Sequence, residues 1–205
     1  MTSSGRDRVA LQPPAADLST FPHKTVSKGR RWWRNHGPLG PWYFDSSSEG
    51  RFNLDDPYGT LYLATSRECA VRERIGFDMA DAGYVTAWLV DGRQVSELEL
   101  PVDVRAARAT GADCLRWGLV AGELTNVDDF SLTRSWARAF HAAGFGGMWT
   151  MLRFSGAHGR GLSVFGDKGP RDWGKPITSM SMRAAVRSMH LTVLDPPPST
   201  GLTII

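Results

Sequence analysis

The sequence predicts a single domain of the α+β class. The predicted strands and helices follow one another in mixed order, without the regular strand–helix–strand alternation of a doubly wound parallel sheet. At 205 residues, with 41% hydrophobic and 22% charged residues, the composition is that of one soluble globular domain. No internal repeat or interdomain linker is evident. We therefore place the domain at residues 23–195, after a flexible arm at 1–22 and before a C-terminal tail at 196–205.

The first predicted strand lies in the basic and aromatic stretch 28–36, where long cationic side chains can cover apolar surface. The Gly and Pro residues of 37–42 then predict a loop. Trp42, Tyr43 and Phe44 follow directly. These three rings could wall a pocket or fill the core, and we expect at least two of them in the core.

Residues 55–77 predict a turn, a strand and a helix in succession. Asp, Pro and Gly dominate 55–59 and favour a turn for separate backbone reasons. The short apolar and aromatic run 60–65 is typical of a strand. Ser66 then suits the N-cap of a helix that runs to about Phe77, with Gly76 close to its end.

The remaining chain alternates short strands with two helices. Gly144 suits the C-terminal end of the second helix, and the Gly-rich, polar segment between the later strands predicts a mobile loop. The predicted elements are strands at 84–90 and 94–100 joined through a turn at Asp91-Gly92, helices at 112–121 and 131–143, strands at 146–152 and 161–165 around a loop at 155–161, and a segment at 184–194 that closes the sheet.

Three polar residues, Arg51, Tyr62 and Glu73, follow one another at intervals of eleven residues. On the predicted helix, Glu73 shares a face with Cys69 and Phe77, because side chains three or four residues apart are neighbours. A carboxylate among such neighbours is costly to bury unless it is paired or hydrogen-bonded. Glu73 is therefore either one half of a structural ion pair with an arginine or a functional carboxylate.

Three short motifs in this region resemble the signature of the RES domain family. They are Gly50-Arg51-Phe52, Tyr62-Leu63-Ala64 and Ala70-Val71-Arg72-Glu73, in the family's order, and weaker similarity extends over about residues 25–167. The resemblance implies a fold like that of ADP-ribosyltransferases, with a split mixed or antiparallel sheet. It also implies action on NAD, often as the toxin of a toxin–antitoxin pair.

The resemblance assigns catalytic roles to Glu73, Arg51 and Tyr62. It assigns NAD binding to Arg34, Arg51, Tyr62 and Arg153, with Arg31 as a rival for the place of Arg34. These residue types suit the chemistry, because cleavage of the nicotinamide–ribose bond has an oxocarbenium-like transition state. A carboxylate can stabilise that cation, arginines bind the pyrophosphate, and aromatic rings accept the flat bases.

One position departs from the family pattern. Family members carry a Ser-Arg pair on the strand near residues 147–149, whereas this chain has Leu152-Arg153. The role of the serine is therefore either missing or taken by Ser155. The acceptor also stays open: water would make the protein an NAD glycohydrolase, phosphate a phosphorylase, and a protein side chain an ADP-ribosyltransferase. A catalytically inactive NAD-binding module is the non-enzyme alternative.

Composition and motifs argue against several other classes of function. The net charge of +3 is too small for a nucleic-acid-coating protein, and the five histidines show no paired metal-ligand spacing, so we expect neither nucleic acid nor a metal. There is no G-x-S-x-G elbow of a serine hydrolase. Two isolated cysteines, no membrane-length apolar run and no signal peptide predict a cytoplasmic protein. The family resemblance adds a separate helix-turn-helix antitoxin as a partner, and the sequence leaves a homodimer open.

Overall fold

An eight-stranded mixed sheet forms the centre of the computed structural model, which describes residues 11–14, 17–128, 130–156 and 158–196. The strands in chain order are β1 His23–Val26, β2 Arg31–His36, β3 Tyr43–Phe44, β4 Tyr58–Ala64, β5 Val85–Thr86, β6 Gln94–Glu99, β7 Val104–Arg108, β8 Gly147–Met151, β9 Arg160–Asp167, β10 Gly169–Pro170, β11 Thr178–Ser181 and β12 Val193–Leu194. The helices are α1 Arg67–Ala82, α2 Ala87–Val90, a 3₁₀ helix at Ala112–Trp117, α3 Ala121–Asn126, α4 Phe130–Ala142 and α5 Met182–Ser188.

The large sheet consists of two parts that meet at one point. Its strand order is β1-β7-β8-β9-β4-β2-β6-β11, with β7 and β8 parallel and the other neighbours antiparallel. Strands β4 and β9 pair over seven residues, whereas β4 and β2 pair at the single position Trp33–Ala64. The sheet is therefore split between β4 and β2. The predicted α+β class with a split, mixed sheet is confirmed.

The described part of the predicted N-terminal arm is packed rather than loose. Leu11, Leu18 and Phe21 are each no more than 3% exposed and lie in the same apolar cluster as Trp136 of α4. The Trp136 indole N–H donates to the carbonyl of Gln12 at 2.9 Å. Apolar residues spaced too irregularly for a helix or strand can still fill a core, which is why periodicity alone predicts an arm here. The tail from residue 197 onward lies outside the described residues.

Helix α1 begins where the sequence predicts and ends later. The Ser66 hydroxyl accepts from the backbone N–H of Cys69 at 3.1 Å, and the helix closes at Gly83, whose φ is +72°. Gly76 does not end the helix, because it serves close packing instead. A Cβ at Gly76 would lie 2.1 Å from the Phe154 ring. The glycine therefore lets the segment after β8 approach the helix backbone.

Three other predicted elements are wrong, whereas the strand at 94–100, the helix at 131–143 and the strands at 146–152 and 161–165 are confirmed. The stretch 84–90 contains only two strand residues before α2, so no hairpin joins it to β6. Within the stretch 112–121, residues 112–117 form a 3₁₀ helix rather than an α-helix. Residues 184–188 belong to α5, whose buried residues Met182, Ala185 and Val186 follow helical spacing. Residues 193–194 form β12, which pairs with β5 outside the large sheet, and β11 lies at one edge of that sheet. No helix of the described residues has the length and apolar character to cross a membrane.

Candidate active site

A cleft of about 470 Å³ opens where the sheet splits. The pair Trp33 and Ala64, which joins the two parts of the sheet, lies in its wall. Helix α1, the loop before β4 and the segment after β8 complete the walls. The cleft brings together all of the site residues that the sequence predicts: Arg34, Arg51, Tyr62, Glu73 and Arg153. Two of the three early aromatic residues, Trp42 and Phe44, are instead buried in the core.

Glu73 projects from α1 toward the segment that follows β8. Its Oε1 accepts the backbone N–H of Phe154 at 2.8 Å and the Ser155 hydroxyl at 3.0 Å, and its Oε2 accepts the Arg153 N–H at 3.3 Å. Burial raises the pKa of Glu73, while these hydrogen bonds and nearby Arg51 oppose the rise. The carboxylate is thus held in one orientation by three donors, and the structural ion pair considered from the sequence is not formed within 4 Å among the described residues.

Tyr62 extends from β4, and its hydroxyl joins a buried hydrogen-bond network. The hydroxyl accepts the Phe52 N–H and donates to Oδ1 of Asn53, both at 2.8 Å. The Asn53 amide in turn donates to Oδ2 of Asp45 at 2.7 Å. Burial raises the pKa of Tyr62, so the phenol stays neutral at physiological pH. The hydroxyl therefore fixes the loop that carries Arg51, and Tyr62 also lines the cleft.

The loop before β4 fixes Arg51 against α4 and the segment before it. The Arg51 guanidinium donates to the Val127 carbonyl and lies 4.5 Å from the centre of the Phe130 ring. The Arg51 carbonyl accepts from the Thr133 hydroxyl at 2.6 Å. Burial, and the like charge of Arg153, lower the pKa of Arg51. Because an arginine stays protonated after such a shift, the cleft gains a partly desolvated cation.

Arg34 and Arg31, the two candidate NAD-binding arginines on β2, have different surroundings. Arg34 lines the cleft, and its guanidinium donates to the carbonyls of Pro41 at 3.0 Å and Tyr43 at 2.8 Å. Burial lowers the pKa of Arg34 to about 10. Arg31 is exposed, pairs with Glu97 at 3.6 Å, and does not line the cleft. Side chains alternate along a strand, which is why one of the two faces inward and the other does not.

The segment after β8 places Arg153 and Ser155 on either side of Phe154. Arg153 pairs with the exposed Asp128 at 3.1 Å and lies 4.7 Å from the centre of the Phe77 ring. Leu152 is partly buried, packs against the apolar cluster beside α1 and also lines the cleft. Ser155 is the residue in this segment whose hydroxyl reaches Glu73.

Sequence reasoning missed several residues that line the cleft. Two are arginines, Arg74 on α1 and Arg93 just before β6. Others contribute aromatic or hydroxyl groups, among them Trp33, Phe77, Phe130 and Ser163. Asn53, which does not line the cleft but bonds to Tyr62, was missed too, although a buried amide beside the signature loop is a usable signal. The lining of the described residues contains five arginines and two glutamates, so the cleft favours an anionic ligand. Among those residues, no cluster of His, Cys, Asp or Glu is placed to hold a metal ion.

Comparisons with known proteins agree with this architecture. The family model of the RES domain matches residues 29–174. Among solved structures, a chain of the crystal structure of the M. tuberculosis MbcT–MbcA toxin–antitoxin complex is similar, with a TM-score of 0.59 and 15% sequence identity. That similarity covers 80% of this chain and 90% of the other. No curated protein sequence matches.

Proposed function

Because the chain belongs to the RES domain family, we propose that it is an NAD-consuming enzyme that cleaves the bond between nicotinamide and ribose. The observation that carries this proposal is the content of one cleft. A buried carboxylate, an aromatic ring and several arginines line the same cavity of about 470 Å³ at the split in the sheet. That volume lies within the usual range of ligand pockets, roughly 300–1,000 Å³.

The proposed roles follow from the position of each group. Glu73 faces the ribose and stabilises the positive charge that develops as nicotinamide leaves. Its three hydrogen-bond donors keep the carboxylate in place before the reaction, so little reorganisation is needed. Arg51, Arg153 and Arg34 bind the pyrophosphate, and the Tyr62 ring packs against a flat part of the substrate. The three donors to Glu73 are uncharged, so they hold the carboxylate without neutralising the negative charge that the developing cation needs.

The product of the reaction identifies the acceptor and tests the proposed function. Purified protein is incubated with NAD, and the products are separated chromatographically. ADP-ribose indicates hydrolysis, ADP-ribose 1″-phosphate formed only with added phosphate indicates phosphorolysis, and label moved from NAD to a protein indicates ADP-ribosylation. The absence of the family serine at Leu152 favours one alternative, a binding module. Intact NAD bound to the protein without turnover would select that alternative.

We also propose that the protein acts as a toxin whose partner is a separate antitoxin. The structural relative from M. tuberculosis comes from a toxin–antitoxin complex, which supports this role. The partner that we expect is a small helix-turn-helix protein encoded beside this chain. Expression of the chain alone should arrest growth, and co-expression of that partner should restore it. Unaffected growth with active protein present would exclude the toxin role.

Ser155→Ala should move the acid limb of the pH–rate profile to higher pH. Burial raises the pKa of Glu73, so activity that needs the ionised carboxylate falls as the pH drops toward a value above the ordinary 4.5. The Ser155 hydroxyl stabilises the ionised form, and its removal raises that pKa further. The expected displacement is up to about one pH unit, with activity retained at higher pH.

The matched control is Ser188→Ala, which removes a serine hydroxyl that bonds to the Ala185 carbonyl on α5, outside the cleft. This control should keep the profile of the wild type. An acid limb that stays in place or moves to lower pH in Ser155→Ala would show that Ser155 does not act on the ionisation of Glu73.

A further inference from the structure

Two arginines of the cleft have no part in the roles assigned above. Arg74 and Arg93, which we call the outer arginines, approach the cleft from α1 and from the turn before β6. The Nε of Arg93 donates to Oδ1 of Asn35 at 2.8 Å, and its Nη1 lies beside Gly37, 3.5 Å from where a Cβ would stand. Arg34 binds carbonyls farther along the loop that begins at Gly37. Both outer arginines line the same cleft as Arg34.

The outer arginines concentrate positive charge without a close counter-ion. Partial burial lowers the pKa of Arg93, and the like charge of Arg74 lowers it further. Burial lowers the pKa of Arg34 as well, and the like charge of Arg93 adds to that effect. In the described part of the chain, neither outer arginine forms an ion pair within 4 Å. The carboxylate whose field reaches Arg74 is that of Asp78. An anion that binds between two such guanidinium groups relieves their mutual repulsion.

We propose that the outer arginines form a subsite for a second phosphate group, the 2′-phosphate on the adenosine ribose, so that the substrate class is NADP in preference to NAD. This inference rests on the proposed function, which places the nicotinamide ribose at Glu73 and the pyrophosphate at Arg51, Arg153 and Arg34. The pyrophosphate then accounts for those three cations and leaves the outer pair for a further anionic group of the substrate. Arginine is the usual partner of a 2′-phosphate, because its planar fork binds phosphate oxygens in pairs.

The test compares kcat/KM for NADP and NAD in the purified full-length chain. We expect a ratio of at least about ten in favour of NADP, the effect of a charge-assisted hydrogen bond. Arg93→Gln and Arg74→Gln should each lower that ratio about tenfold, and Arg93→Lys should restore part of it by keeping the charge. Arg72→Gln is the matched control: Arg72 is an exposed arginine on the same helix, outside the cleft, and its substitution should keep the wild-type ratio.

Three results would overturn the inference. A wild-type protein that uses both dinucleotides equally has no 2′-phosphate subsite. Equal losses for both dinucleotides in the outer-arginine variants would assign these side chains to the pyrophosphate or to stability. A loss confined to stimulation of NAD turnover by added inorganic phosphate would assign them to a free anion. If neither dinucleotide is consumed, the proposed function fails separately. Calorimetry of NADP and NAD binding to the same variants then tests whether the outer arginines bind the 2′-phosphate.

Discussion

Glu73→Gln is expected to lower the rate of nicotinamide release by roughly two to four orders of magnitude. The substitution keeps the size of the side chain and removes its charge. In the proposed reaction the charge is what matters, because the carboxylate faces a developing cation in a partly buried site. The rate should be measured as kcat with saturating dinucleotide, so that a change in binding does not enter.

Glu73→Gln also changes the hydrogen bonds at this position and, through them, the stability of the protein. A glutamine oxygen can still accept from the Phe154 N–H and the Ser155 hydroxyl, whereas its NH₂ group faces the Arg153 N–H and loses that bond. Removal of a buried charge offsets this loss, so we expect a small change in Tm. Ser155→Ala serves as the control, because it removes one of these bonds and leaves the charge. Equal nicotinamide release by wild type and Glu73→Gln would exclude the role given to the carboxylate.

Arg51→Ala should raise KM roughly ten- to hundredfold and lower kcat as well, the second-largest effect that we expect. Pyrophosphate contacts form before the transition state, so their loss weakens binding of the ground state. Arg51 also packs on Phe130 and donates to the Val127 carbonyl, and alanine removes both contacts. The Tm of the variant should therefore be measured beside its kinetics.

Arg51→Lys separates the effect on substrate binding from the effect on protein stability. Lysine keeps the positive charge but lacks the planar fork that binds two oxygens at once. We expect a KM between those of the wild type and the alanine variant. An unchanged KM in Arg51→Ala, with a lowered Tm alone, would assign Arg51 to the loop rather than to the substrate.

The sequence brings three of the proposed site residues together because they are close to one another along the chain. Arg51, Tyr62 and Glu73 lie on a loop, a strand and a helix that follow one another directly, and the structure brings all three to one cleft. The turn residues at 55–59 and the N-cap at Ser66 set those boundaries through local backbone chemistry. The α+β class follows in the same way from the order of elements.

The remaining features depend on contacts between distant segments. Periodicity does not reveal that Gly76 accommodates the ring of Phe154, nor that Ser155 reaches Glu73 across 82 positions. The outer arginines enter from α1 and from the turn before β6, and neither belongs to a motif. The short segment at 87–90 is strand-like in composition and helical in the structure, because tertiary context overrides a weak local preference.

The most direct test of the proposed reaction measures nicotinamide released from NAD and NADP by the purified wild-type protein, followed over time with the loss of the dinucleotide. We expect nicotinamide to appear in equal amount to the dinucleotide consumed, and its release to depend on Glu73. Dinucleotide that stays intact through prolonged incubation with folded protein, with water, phosphate and protein acceptors all supplied, would contradict the proposed reaction.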